Sequence, residues 1–457
     1  MKRNLLQFLL VAFLSSLVLF SCNNNASVKE KDNEVVASEK DYFNYAGFEF
    51  SFTQKSTGTL NSIVHSSYEY KTIDQNGAEI TCSGWYEYKL DNEQAGFDLI
   101  IVDCHGTIMD KDSCPSEKGA SIDASYFGSK KVMIIAPDYL GYGSSSGAVH
   151  PYCVAELNAR NIIDSVLSIK LKTGYKFSEN CKTLIMGYSQ GGQTSLATYK
   201  CIQDCIPAEY KSELNVQKVY SGAGPYNLLA TMDEYLSSDS VIAPFIYFVV
   251  KAYLSVNYDS LKKYDIDDFF TTEFLNNHNQ LAPSSPNMRE SIDALNYSMS
   301  LNGVKVPEGL IEAYLDGADF ITIMKNPEYQ QFILANSDTV AKFIEYYTYS
   351  DITKLVTPQF LDPSSKMTKA FKEVLKQNNI AAGWKPEIPV YIYHHVKDDM
   401  VPFKNFEMLK KGMKGCNKII FDKDEQEFDL EEPFDFVHRH AGAVFYQRVI
   451  DDINENF

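Results

Sequence analysis

Gly187-Tyr188-Ser189-Gln190-Gly191 carries the spacing G-x-S-x-G, and Ser189 at its centre is the residue whose setting could make a hydroxyl reactive. Upstream, Cys181-Lys182-Thr183-Leu184-Ile185-Met186 is a short apolar run suited to a buried strand; downstream, Gly192 to Ile202 can form a helix. Strand, sharp turn and helix would hold Ser189 on an elbow. The flanking glycines suit a strained turn whose helix packs close against the sheet. A serine hydroxyl is a poor nucleophile at neutral pH. It needs a histidine to take its proton and a carboxylate to orient that histidine and balance its charge.

Both partners are found downstream, in the order Ser, acid, His that such an elbow requires. Tyr391 to Pro402 reads YIYHHVKDDMVP, an apolar run followed by two acids. Asp398, in the pattern D-x-x-V-P, is the candidate acid, and Asp399 is its rival. Phe436-Val437-His438-Arg439-His440-Ala441-Gly442 offers two histidines, expected on the loop before the last helix. His438 is preferred because it stands further ahead of that helix, with His440 as the alternative. The developing oxyanion needs donors. One is the backbone N–H of Gln190, directly after the nucleophile. The other is the N–H of Thr107 in the loop Asp103-Cys104-His105-Gly106-Thr107, where Gly106 allows close approach and His105 is expected to be structural.

The elements that must position these groups are legible as a pattern. Ser62 to Lys71 and Glu79 to Lys89 alternate around Asp74-Gln75-Asn76-Gly77, a hairpin signal. Phe97 to Cys104 and Lys130 to Ala136 are near-continuous apolar runs, as parallel strands covered on both faces should be. Apolar residues at helical spacing follow between Cys153 and Lys170. Then come the strand before Ser189, its helix, and a strand at Lys218 to Ser221. Alternating strand and helix predicts an α/β fold with a mostly parallel sheet. The pattern breaks at Gly222-Ala223-Gly224-Pro225 and resumes at Ile388 to Tyr393, with Lys418 to Phe421 and a final helix from about Ala441. Residues 226–385 are mostly helical in character and too long for a loop, so they are expected to be an inserted cap, with Val241 to Val250 as its apolar centre. The catalytic domain is then 41–225 with 386–457.

Composition narrows the function classes. A 457-residue chain with a formal charge of −18 argues against a nucleic-acid partner. Lys2 and Arg3 precede an apolar stretch from Leu5 to Phe20, the form of an export signal in residues 1–22. Leu19-Phe20-Ser21-Cys22 resembles the lipobox of bacterial lipoproteins, which makes Cys22 the expected lipidation site and residues 23–40 a polar tether. With no acidic residue directly after Cys22, the resemblance implies an outer-membrane anchor. Eight further cysteines permit disulfides, Cys104 with Cys114 being the favoured pair and buried free thiols the other reading. No Cys/His spacing fits a zinc site, so neither metal nor cofactor is expected.

Taken together, the motifs resemble those of the secretory lipase family of α/β-hydrolases, the lipase-A-like group. The matching segments are Ser83-Gly84, HGT at 105–107, PDYLGYG at 137–143, HPY at 150–152, GYSQGG at 187–192, SGAGPY at 221–226 and DDMVP at 398–402. The resemblance implies an α/β-hydrolase fold with a large helical cap inserted before the last strands, and hydrolysis of a lipid or small-molecule carboxylic ester. Asp138, His150 and Tyr152 belong to the pattern and are assigned structural roles. The expectation is an exported, lipid-anchored serine esterase or lipase. A carbohydrate esterase keeps the same chemistry on another substrate; a peptidase and a non-catalytic binding lipoprotein are weaker readings.

Overall fold

A computed structural model describes residues 41–108, 113–237, 241–275, 325–335, 348–349, 352–380, 383–428 and 437–457, together with 307 and 310. The export signal, Cys22 and the tether lie outside the described residues.

The hairpin forms as its sequence predicts. Strands β2 (Ile63–Ile73) and β3 (Glu79–Lys89) pair antiparallel, and the Asp74 carboxylate accepts the N–H groups of Asn76 and Ala78 across the turn. One further strand, β1 (Phe52–Leu60), precedes them and is exposed along nearly its whole length. It joins β2 through Asn61 and Ser62, both at positive φ, as a two-residue hairpin turn with the right twist requires. Its sequence, FTQKSTGTL, has no apolar face because it forms the sheet's edge.

Six more strands complete the sheet: β4 (Phe97–Cys104), β5 (Val132–Pro137), β6 (Phe177–Tyr188), β7 (Val216–Gly222), β8 (Val390–His395) and β9 (Ile419–Asp424). Their spatial order is β1-β2-β3-β5-β4-β6-β7-β8-β9, antiparallel up to the β3–β5 pair and parallel from there on. This is a mainly parallel α/β sheet. The continuous apolar runs follow from cover on both sides. In β4, Ile100 and Val102 enter one core with helices α1 (Ala155–Lys172) and α2 (Gln190–Asp204). Leu99 and Ile101 face the other way and pack with Phe445, Val449 and Ile453 of the last helix.

The inserted stretch opens with α3 (Leu228–Leu236) and α4 (Ala243–Ser255), and later supplies α5 (Lys366–Gln377). Ile246, Val250, Val249 and Tyr253 of α4 are buried at helical spacing, and the Tyr253 ring meets Phe371 of α5 edge-on. Polar contacts tie this unit down. The N–H of Ala155, first residue of α1, donates to Asn378 Oδ1 just beyond α5. At the other end of the chain, α6 (Lys404–Gly412) follows β8, and α7 (Val437–Asn456) closes the fold. That last helix begins earlier than the expected Ala441, so His438 and His440 stand in its first turn and not on the loop before it.

The favoured disulfide is not formed. Cys104 and Cys114 are both free and buried, and Cys114 Sγ lies 3.4 Å from Ser116 Oγ, beside the short helical turn that the following proline starts. The six other cysteines of the described residues are free as well.

One buried acid makes stability depend on pH. Asp103 on β4 is fully buried, and burial pushes its pKa up to about 6, against hydrogen bonds from the backbone N–H and the side chain of Ser121. A folded-state pKa above the unfolded one favours folding below the unfolded value and loses that contribution as pH rises through the folded one. Asp103→Asn should therefore gain on the wild type between pH 4 and pH 7, by on the order of 2–3 kcal/mol in urea unfolding, with no further gain above.

Candidate active site

Ser189 sits between β6 and α2 with φ 60° and ψ −124°, a region that L-residues avoid. Its N–H donates to the Gly222 carbonyl of β7, which fixes the elbow to the sheet. A Cβ on Gly191 would lie 1.9 Å from the Cys104 carbonyl oxygen, and one on Gly187 would lie 2.3 Å from the Gly191 carbonyl oxygen. Backbone touches backbone at both points, so only glycine fits.

The two acids of the DD pair divide the work. Asp398 Oδ2 accepts from His438 Nδ1 at 2.7 Å, while its Oδ1 accepts the N–H groups of Met400 at 3.0 Å and Val401 at 2.7 Å. Burial opposes the charge on Asp398, but His438 and His394 outweigh it and hold the carboxyl well below the usual range. Asp399 does something else. Its carboxylate accepts the N–H groups of Val437 and His438, the first two of α7, at 2.9 and 3.2 Å. These two bonds, from 38 and 39 residues away, satisfy backbone N–H groups in the first turn of the helix.

His438 is thus held at ring and backbone. Its Nδ1–H points to Asp398, which leaves the lone pair on Nε2. That Nε2 is buried with no hydrogen-bond partner among the described residues, so no bond joins it to Ser189 in this state. Tyr188, next to the serine, carries the histidine: its hydroxyl donates to the His438 carbonyl at 2.8 Å and the two rings lie 4.8 Å apart. His440 faces elsewhere, stacked on Phe428 at 5.3 Å.

The HGT loop lies against the elbow. At Gly106 a Cβ would sit 3.4 Å from the Tyr188 carbonyl oxygen and 3.9 Å from Ser189 Cβ. His105 packs against this loop: Nε2 lies 3.0 Å from the Asp138 carbonyl oxygen and Nδ1 2.7 Å from that of Gly106, of which a neutral ring donates to one, and the ring is stacked 3.8 Å from Tyr139. Thr107 Oγ1 pairs with the Tyr152 hydroxyl at 2.8 Å, and the Tyr152 ring meets Phe248 of α4. Asp138 accepts from Ser83 Oγ and from the N–H of Ser116. Gln190, nearly fully buried at the head of α2, donates from Nε2 to His150 Nε2 at 2.6 Å. His150 passes its own Nδ1–H to the Leu140 carbonyl; burial pushes its pKa down to about 3, so it is neutral, as this tautomer needs. Asp138, His150 and Tyr152 all touch the loops that frame the serine and lie outside the Ser189–His438–Asp398 set. The role of Tyr188 was not foreseen; its place beside the nucleophile was the only signal. Among the described residues no group of His, Cys, Asp and Glu could hold a metal ion.

This architecture is that of the α/β-hydrolases. A model of the family described as secretory lipase matches residues 289–434, so the resemblance read from the motifs is borne out by a stretch that contains the DD pair and ends short of His438. Among solved structures, the chain is similar to the rice cell wall degrading esterase LipA from Xanthomonas oryzae, with a TM-score of 0.60 and 18% identity over 89% of this chain and 97% of that one. It is also similar to Candida antarctica lipase A, with a TM-score of 0.53 and 13% identity over 84% of this chain and 78% of that one. At such identities the likeness is one of fold. No curated protein matches the chain.

Removal of the remote cap tests the division between the acids. Asp399→Ala should lower the free energy of unfolding by about 1–2 kcal/mol, as loss of a helix N-cap does, measured by urea titration at neutral pH.

Proposed function

We propose that the chain is a serine hydrolase of carboxylic esters. The observation that carries this reading is the buried His438, whose Nδ1–H is bound to Asp398, whose Nε2 has no partner among the described residues, and whose ring lies against Tyr188, the neighbour of a serine on a strained, glycine-flanked elbow. Family and fold relatives that are lipases and esterases support it. In this scheme His438 Nε2 takes the Ser189 proton as Oγ attacks the ester carbonyl. The N–H groups of Thr107 and Gln190 receive the oxyanion. His438 returns the proton to the leaving alcohol, and water releases the acyl group by the same steps in reverse roles. Asp398 stays ionised throughout. Because its pKa is depressed, its contribution is present above the unfolded value and lost only as pH falls through the lower, folded one.

The substrate is an ester of a lipid or small molecule. Glycan esters are the second reading, favoured by the likeness to an esterase that degrades plant cell wall. We also propose that the enzyme is exported and anchored to the outer membrane through Cys22; the positively charged start, the apolar stretch and the lipobox-like Leu19-Phe20-Ser21-Cys22 support this.

Hydrolysis of p-nitrophenyl esters from acetate to palmitate by the chain from Asp41 onward, beside Ser189→Ala, tests the chemistry and sorts the substrates. The expected result is activity that falls by at least about a thousandfold in the variant. Activity that survives in Ser189→Ala would remove the assignment. A peak at longer chains selects lipids, and confinement to acetate selects glycan deacetylation.

A further inference from the structure

Asp398 has a second histidine beside it. His394 is the penultimate residue of β8, fully buried, and walled by the rings of Phe403 and Phe406, both edge-on, at 5.6 and 6.3 Å. Its Nε2 lies 3.0 Å from the Val401 carbonyl oxygen, so that nitrogen carries the proton. The same Nε2 lies 3.4 Å from Asp398 Oδ2, the oxygen that receives His438. The other ring nitrogen, Nδ1, is buried without a hydrogen-bond partner among the described residues. A proton there would be a buried donor with no acceptor among the described residues, so the geometry fits the tautomer with its N–H at Nε2.

We propose that His394 is a positioning residue for the acid–base pair: its Nε2–H closes the 398–401 turn through Val401 and draws on the charge of Asp398 Oδ2, limiting how tightly that carboxylate holds the His438 proton. The inference rests on the roles of Ser189, His438 and Asp398 given above. Two backbone N–H groups of the turn hold Oδ1, and the Val401 carbonyl of the same turn is held by His394, so the ring acts on the carboxylate by both routes. The other titratable groups that face this cluster are engaged elsewhere. Asp399 caps α7, the Tyr188 hydroxyl donates to the His438 carbonyl, and the Tyr235 hydroxyl of α3 donates to the Met400 carbonyl. Without the His394 N–H, more of the Oδ2 charge faces His438, which then keeps its proton to higher pH. A protonated His438 cannot serve as base.

The test is the rate at which a fluorophosphonate labels Ser189, followed between about pH 5 and pH 9 in wild type, His394→Asn and His394→Gln. A glutamine amide reaches the Nε2 position with a donor; an asparagine amide reaches only the Nδ1 position. His394→Asn is expected to move the midpoint of the acid limb up by about half a pH unit or more, and His394→Gln to restore it. Lower plateaus with unmoved midpoints, or equal shifts in both variants, would reduce His394 to packing and overturn the proposal. If His394→Asn does not fold, His394→Met, of similar volume and without a donor, takes its place with the same two outcomes. Wild-type protein that is not labelled at all overturns the proposed function, and this inference with it; labelled wild type with unmoved midpoints overturns this inference alone.

Discussion

Everything at the site depends on how closely α2 approaches the ends of the central strands. A Cβ on Gly191 would fall 1.9 Å from the Cys104 carbonyl oxygen, and one on Gly192 would fall 2.1 Å from that of Gly222. The helix therefore starts in direct backbone contact with β4 and β7, with no layer of side chains between. That contact forces the turn at Ser189 into its positive-φ conformation, which costs about 1–3 kcal/mol and persists only if the surroundings over-determine it. They do: the Ser189 N–H is bound to Gly222, and its carbonyl accepts the N–H of Gln193 in the first turn of α2. Because the strands end at the same level, the loop after β4 arrives beside the serine without further machinery.

Around this contact lies a layer of polar groups that hold the loops. His105 lies between the carbonyls of Gly106 and Asp138 and donates to one of them, His150 joins Leu140 to Gln190, and Asp138 gathers Ser83 and Ser116. Burial lowers the pKa of both histidines, so they serve as fixed donors and acceptors and add no charge beside the nucleophile. Charge is instead concentrated at Asp398, where four donors face one carboxylate. The net charge of −18 plays no part in this; the local hydrogen bonds decide it.

The elbow, the hairpin and the parallel strands could be read in the sequence because each leaves a local mark: glycines at fixed spacing, Asn-Gly in a turn, and continuous apolar runs. β1 left none, since an edge strand exposed on both faces needs no apolar residue. The start of α7 was invisible for another reason, its cap being an aspartate from a different part of the chain. Sequence position prefers His438 as the residue further ahead of the helix, yet both histidines stand in its first turn. Two residues apart on a helix they point about 200° away from each other, so only one can meet Asp398, and which one depends on where the helix begins. The rival acid, Asp399, binds the N–H groups of Val437 and His438 and so helps hold that histidine's backbone in place. The Cys104–Cys114 pairing failed because a short loop in sequence says nothing about where the two thiols point.

The cap and the acid turn are not independent. Asn405, at the start of α6 just after the DDMVP segment, accepts the N–H of Asn227 and donates to Thr231 Oγ1, while Tyr235 bonds the Met400 carbonyl. Asn227 itself caps α3, accepting from the N–H of Ala230. The first helix of the inserted unit is thus bound along its length to the segment that carries Asp398. On the opposite side, Phe248 of α4 packs on Tyr152, whose hydroxyl holds Thr107. The inserted stretch therefore contacts both the segment that carries Asp398 and the side chain that holds Thr107. A substitution that shifts α3 or α4 moves the 398–402 turn and the HGT loop together.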